Sequence, residues 1–185
     1  MPLSPGVPSR KRIHTRSIEV EGWKREDGFW DIEARLADVK HHDYRLASGL
    51  RRQGEPIHEM RIRLTIDRDF AIHAASAVSD AVPYPDGCET IAPDYARLVG
   101  LNLMRGFRKS VGEMFGDVRG CTHLTGLLQI LPAVAIQTFA SDIRDTDGLD
   151  PDTQPFQLDR CHALNTSSET VRRYYPRWHR SKKAG

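Results

Sequence analysis

A chain of 185 residues, 39% hydrophobic and 28% charged, can bury a core of its own without disulfide staples. Its net charge of +2 excludes a global basic field, and no apolar run approaches the roughly 18 residues of a membrane span. Three widely separated cysteines point to free thiols in a reducing compartment, hence to a cytoplasmic protein.

The first twelve residues, MPLSPGVPSRKR, hold three prolines and a basic cluster and lack the apolar core of a secretory signal. They read as a loose basic arm. From Ser17 the period becomes two, with Ile18, Val20 and Gly22 on one side. Asp27-Gly28 is a strong hairpin signal, and Trp30, Ile32, Ala34 and Leu36 then alternate with charged residues. Residues 40–56 are polar, with Gly49, Gly54 and Pro56, and read as a loop or a short irregular helix. A second hairpin follows. Met60, Ile62, Leu64 and Ile66 share one face, Asp67-Arg68-Asp69 forms the turn, and Phe70, Ile72, Ala74, Ser76 and Val78 form the returning run.

Beyond Pro83 and Pro85 the period lengthens. Ile91, Tyr95, Leu98 and Val99 predict a short helix. Leu103, Phe107, Val111, Met114 and Phe115 predict a second, bounded by Gly100 and Gly116. A third begins near Thr122 with Leu124, Leu127 and Leu128. It must kink or restart at Pro132, whose ring clashes with the preceding turn and which brings no donor. Strands first and helices after predict an α+β fold: an antiparallel sheet of about four strands, two hairpins, with helices on one face. The expected divisions are the arm (1–12), a single α+β domain (13–145), and an acidic loop with a basic tail (146–185).

Candidate chemistry gathers where the sheet should meet the helices. His58 has the parity of Met60 and Ile62 and so turns inward, as a hydrogen-bonded residue of the core rim or as a ligand. Cys88 follows Asp86-Gly87 at the entrance to the first helix, and Cys121 follows Gly120 at the entrance to the third. A thiol at a helix start meets unpaired N–H groups that favour the thiolate, the form that attacks electrophiles and binds metals; a lone cysteine also serves as a small core residue. His123, two residues after Cys121, can share a metal with it only if Cys121 precedes the first helical turn, with Thr122 as the cap. Otherwise it is a proton carrier beside the thiol. Cys161-His162 has no diagnostic metal spacing, and no CxxC occurs. Arginines and aromatics alternate in RRYYPRWHR near the end, which suits a protein partner better than nucleic acid given the small net charge.

The stretch HEMRIRLTIDRDFAIHAASAVSDAVPYPDGCETI, with the later Gly120-Cys121, resembles the NifU/IscU/SufU-type iron–sulfur scaffold fold over residues 56–143. That family has a strand pair, a Gly-Cys leading into a helix, a glycine-bounded helix, and a helix opening with a cysteine. The resemblance puts its active aspartate at His58 and its cysteines at Cys88 and Cys121. Its first cysteine falls on Pro56, and its Leu-Pro-Pro-Val-Lys is missing. The chain as a whole is also similar to a bacterial family of unknown function, through DGFWDIEARLADVK, PIHEM, GCTHL and RCHAL. That likeness implies no activity.

Three readings follow. The first is a metal site built from His58, Cys88, Cys121 and His123, suited to zinc, with iron or an iron–sulfur cluster as further candidates. The second is a metal-free thiol enzyme or carrier with Cys121 as nucleophile and His58 or His123 as base. The third is a binding or structural domain with inert cysteines, its partner contacts made by the acidic 142–152 loop and the basic tails.

Overall fold

In the computed structural model, residues 9–140, 142–148 and 150–181 are described. Most of the expected basic arm, and the Lys182-Lys183 pair at the other end, lie outside them. Period-two alternation becomes sheet over β1 (His14–Lys24), β2 (Trp30–Lys40), β5 (Pro56–Ile66) and β6 (Ile72–Ala81). These form one antiparallel sheet in the order β1-β2-β5-β6. Gly28 makes the first turn with φ +86, a conformation that glycine adopts without the steric cost of a Cβ. One face of the sheet carries Ile32, Leu36, Met60, Ile62 and Leu64, all fully buried, and the other carries the ion pairs Arg63–Glu33 and Arg35–Glu59. This is the in–out alternation of a sheet covered on one side.

The helices supply the cover. α1 (Phe107–Phe115) buries Phe107, Val111 and Phe115, and α2 (Thr122–Leu128) buries Leu124, Leu127 and Leu128 while packing on β2 and β5. α3 (Leu131–Phe139) restarts after a break, with Pro132 as its second residue, where a missing N–H costs nothing.

Four local expectations need correction. The stretch 40–56 contains a small hairpin, β3 (Tyr44–Leu46) and β4 (Gly49–Arg51), whose three-residue strands are too short to register as alternation. The helix after Pro85 is a 3-10 helix, Glu89–Leu98, with Pro93 inside it. Its buried residues Ala92, Tyr95 and Leu98 recur every three, and Val99 lies beyond it. α1 begins at Gly106 (φ +67), not at Gly100, because residues 100–103 instead hydrogen-bond to Phe70 and Ile72 at the β5–β6 turn. Val78 is 49% exposed although Ile72 is buried. The register slips between Thr65 and Ile66, where Thr65 faces Ala74 and Ile66 faces Ile72, and the extra residue flips the parity of β6.

By contacts the chain divides into two compact units, residues 1–135 and 136–185. In the second, Ser168 Oγ caps α4 (Glu169–Tyr174) by accepting from Val171 N at 3.1 Å, as an N-cap serine does. Gln157 Nε2 and Tyr175 Oη both donate to the carbonyl of Thr146, at 2.7 and 3.1 Å.

Gly120 has a steric reason. A Cβ there would stand 2.5 Å from the carbonyl oxygen of Phe115 and 2.7 Å from its Cβ. The chain can pass Phe115 this closely only without a side chain. Gly120→Ala is therefore expected to destabilise the fold by about 1–3 kcal/mol. The check is a lower urea midpoint with an unchanged m-value.

Candidate metal centre

The site is built from one row of the sheet. Cross-strand pairing sets Arg16 of β1 opposite Asp38 of β2, and Asp38 opposite His58 of β5. Asp38 has the inward parity of Trp30, Ile32, Ala34 and Leu36, so an acidic side chain occupies a core position and is only 5% exposed. The β2–β5 register shifts between Asp38 and Val39, and such irregularities commonly re-aim side chains at functional sites.

A buried carboxylate needs partners, and Asp38 has a full set. Arg16 clamps it in a fork, Nε donating to Oδ1 at 2.8 Å and Nη2 to Oδ2 at 2.7 Å. His14 Nε2 donates to Oδ1 at 2.9 Å, and His58 Nδ1 donates to Oδ2 at 3.1 Å. From above, His123 brings Nε2 to 3.4 Å from Oδ2. The His58 and His123 rings stack, with centroids 3.8 Å apart and planes inclined by 30°. Burial opposes ionisation of Asp38, but the hydrogen bonds from Arg16 and His14 override it and lower the pKa to about 2. Burial lowers the pKa of His58 against the pull of Asp38. It lowers that of His123 too, assisted by the neighbouring His58. Both imidazoles are thus held toward the neutral form, in which a ring nitrogen can bind a metal.

His123 is placed by a short local build. Gly120 lets the chain pass Phe115, and Cys121 is the N-cap of α2 with β-region angles. Cys121 takes the cap position expected for Thr122, so it precedes the first helical turn. The buried hydroxyl of Tyr95 accepts from Cys121 N at 3.0 Å and donates to Cys121 O at 3.1 Å. Tyr95 itself stacks on Phe115 at 4.3 Å. On the side away from Asp38, His123 Nδ1 lies 3.9 Å from Cys121 Sγ.

Of the four residues singled out in the sequence, His58 and His123 come together. Their partner is Asp38, which the sequence reading passed over. One ligand atom from each of the three can lie within 4.8 Å of the others. Cys121 stands beside His123 and is not one of the three. Cys88 caps the 3-10 helix and is also outside the group. Cys161 and His162 belong to the second unit, with Cys161 exposed. The inward parity of Asp38 was visible in the alternation of β2, two residues past Leu36.

The group opens on a cleft of about 320 Å³, lined by His14, Arg16, Lys40, Tyr44 and Tyr84 among others. The chain matches the family described as "Protein of unknown function (DUF2889)" over residues 14–137. It belongs to that family. Asp38, His58, His123 and Cys121 all fall inside the DUF2889 match, as do the four strands of the main sheet. No curated protein and no solved structure matches the chain significantly. Among the described residues of this DUF2889 protein, no helix is long and apolar enough to cross a membrane.

The carboxylate sets a pH dependence. Its folded pKa lies below the unfolded value of about 3.9, so its stabilisation is complete above that pH and is lost as the pH falls toward about 2. Asp38→Asn should therefore unfold at lower urea than the parent at pH 6, and the gap should narrow as the pH falls from 4 to 2. Urea titrations of both proteins across that range would check it.

Proposed function

We propose that this protein binds a transition-metal ion, zinc or iron(II), through Asp38, His58 and His123. The observation that carries this reading is the convergence of two imidazole nitrogens on one carboxylate oxygen, at 3.1 and 3.4 Å. Ligands about 2.0–2.1 Å from a tetrahedral ion stand roughly 3.3 Å apart, so these two spacings are near those of a bound site. Two histidines and a carboxylate on one side of an ion leave coordination positions open to water or substrate. Zinc hydrolases and non-haem iron enzymes share this arrangement. Such an ion would act as a Lewis acid or activate a bound water at the floor of the cleft.

The other residues take supporting parts. Arg16 and His14 hold the carboxylate in place from the edge strand. Cys121 stands behind His123, at the nitrogen turned away from Asp38, where it can fix the ring's orientation. A cluster needs several thiolates, and the three-residue group offers none, so a single ion is favoured over an iron–sulfur centre. The likeness to iron–sulfur scaffolds is one of sequence order alone.

A second reading has its own observation. His123 lies between Asp38 Oδ2, 3.4 Å from Nε2, and Cys121 Sγ, 3.9 Å from Nδ1. This is the order of an orienting carboxylate, a base and a thiol nucleophile, with the loose contacts common in resting sites. In it Cys121 would attack an electrophile with no metal present.

Elemental analysis of protein purified without oxygen, then reloaded with zinc or iron(II), separates the two. The metal reading expects about one ion per chain, with at least a tenfold loss of affinity in His58→Ala and His123→Ala and little change in Cys88→Ser. Circular dichroism would confirm that the variants fold. No bound ion in the folded parent, together with rapid alkylation of Cys121 that a chelator does not alter, would replace the metal reading with the thiol one.

A further inference from the structure

The cleft at the Asp38–His58–His123 group has two kinds of lining, charged and apolar. The charged lining is two cations, Arg16 and Lys40, and the single carboxylate of Asp38. Arg16 is committed to Asp38 by both arms of its fork. Lys40 has no carboxylate partner among the described residues, and its ammonium lies 5.4 Å from the Tyr44 ring centroid. The uncompensated charge of the cleft is therefore the ammonium of Lys40. The apolar lining includes Leu46, Pro83 and Tyr84, and Tyr84 leaves 52% of its surface exposed.

The apolar lining is braced. Ser48 Oγ donates to the carbonyl of Pro83, and Arg51 Nη2 donates to the carbonyl of Val82 at 2.7 Å. These bonds tie the β3–β4 hairpin, which carries Tyr44 and Leu46, to the segment that carries Pro83 and Tyr84. A lining fixed in advance loses little freedom when a ligand arrives. The volume, about 320 Å³, is at the small end of ligand sites.

We propose that this cleft binds a small carboxylic acid with a ring-sized apolar body. Its carboxylate is drawn to Lys40 and to the ion on Asp38, His58 and His123, and its body lies against Tyr44, Leu46, Pro83 and Tyr84. The apolar lining favours an acid with a planar hydrocarbon body over phosphate, a sugar or a peptide, none of which would fill it with apolar surface. The inference rests on the metal reading for one of its two anchors; Lys40 and the apolar lining stand without it.

The test is calorimetric titration of zinc-loaded protein with benzoate, acetate and inorganic phosphate, with zinc content measured on every sample. The expected result is benzoate bound about tenfold or more tighter than acetate, from burial of the ring, and tighter than phosphate. Lys40→Ala and Tyr84→Ala should each weaken benzoate by about tenfold while leaving the zinc content unchanged. Lys40→Gln keeps the stem and should behave like Lys40→Ala. Benzoate no tighter than acetate or phosphate, or unaffected by the Lys40 variants, in protein that holds zinc, would overturn the inference and leave the metal site standing. If the parent holds no zinc, the metal reading fails, and benzoate is titrated on the metal-free protein. Binding abolished in Lys40→Ala would then sustain the inference, and no binding would overturn it too.

Discussion

One buried carboxylate organises this molecule. Asp38 sits at a position that the alternation of β2 reserves for the core, and an ionised side chain there is tolerable only when its oxygens are filled. The filling comes from three separate elements: His14 and Arg16 on the edge strand, His58 on the strand at the other side, and His123 above on α2. Removing any one would leave a low-dielectric charge short of a partner, so the register of three strands and the seating of α2 are coupled through a single residue. A buried ion pair of this kind is weak evidence for net stability, since well-packed apolar residues often do as well. What it does in the structure is gather His14, Arg16, His58 and His123 onto one group.

The helix side of the site depends on sterics of a different kind. Gly120 passes within contact of Phe115, Tyr95 stacks on the same phenyl ring, and the Tyr95 hydroxyl holds both backbone groups of Cys121. His123 is thereby set on the first turn of α2, facing the sheet. The GCTHL stretch is a packed helix start that also carries His123 to the Asp38 carboxylate. Its glycine and leucine serve the packing, and its histidine reaches the carboxylate. Its cysteine stands where it can orient that histidine or use it.

Asp38, His58 and His123 line the same cleft as Lys40 and Tyr84. The ion proposed for Asp38, His58 and His123 would face a cleft whose free charge is a lysine and whose apolar lining is braced by Ser48 and Arg51. An ion held by three side chains would keep a position open toward that cleft, which is what the proposed function requires.

The sheet was legible because period-two alternation records directly which side chains are buried, and His58 was legible by the same parity. Asp38 could have been found that way, as an acid on the inward face of β2. The 3-10 geometry around Pro93, the short β3–β4 hairpin and the reversed parity of Val78 were not, because each arises from a bulge, a proline or a strand too brief to carry a pattern. The amino-acid sequence by itself determined the α+β class, the two long hairpins, the break at Pro132 and the inward turn of His58, all of which follow from local periodicity and backbone sterics. Only the tertiary structure decided that Arg16, Asp38 and His58 form one row, that His123 completes it, and that Cys88 does not. Strand register and the seating of a helix are set by long-range packing, which local sequence spacing does not encode.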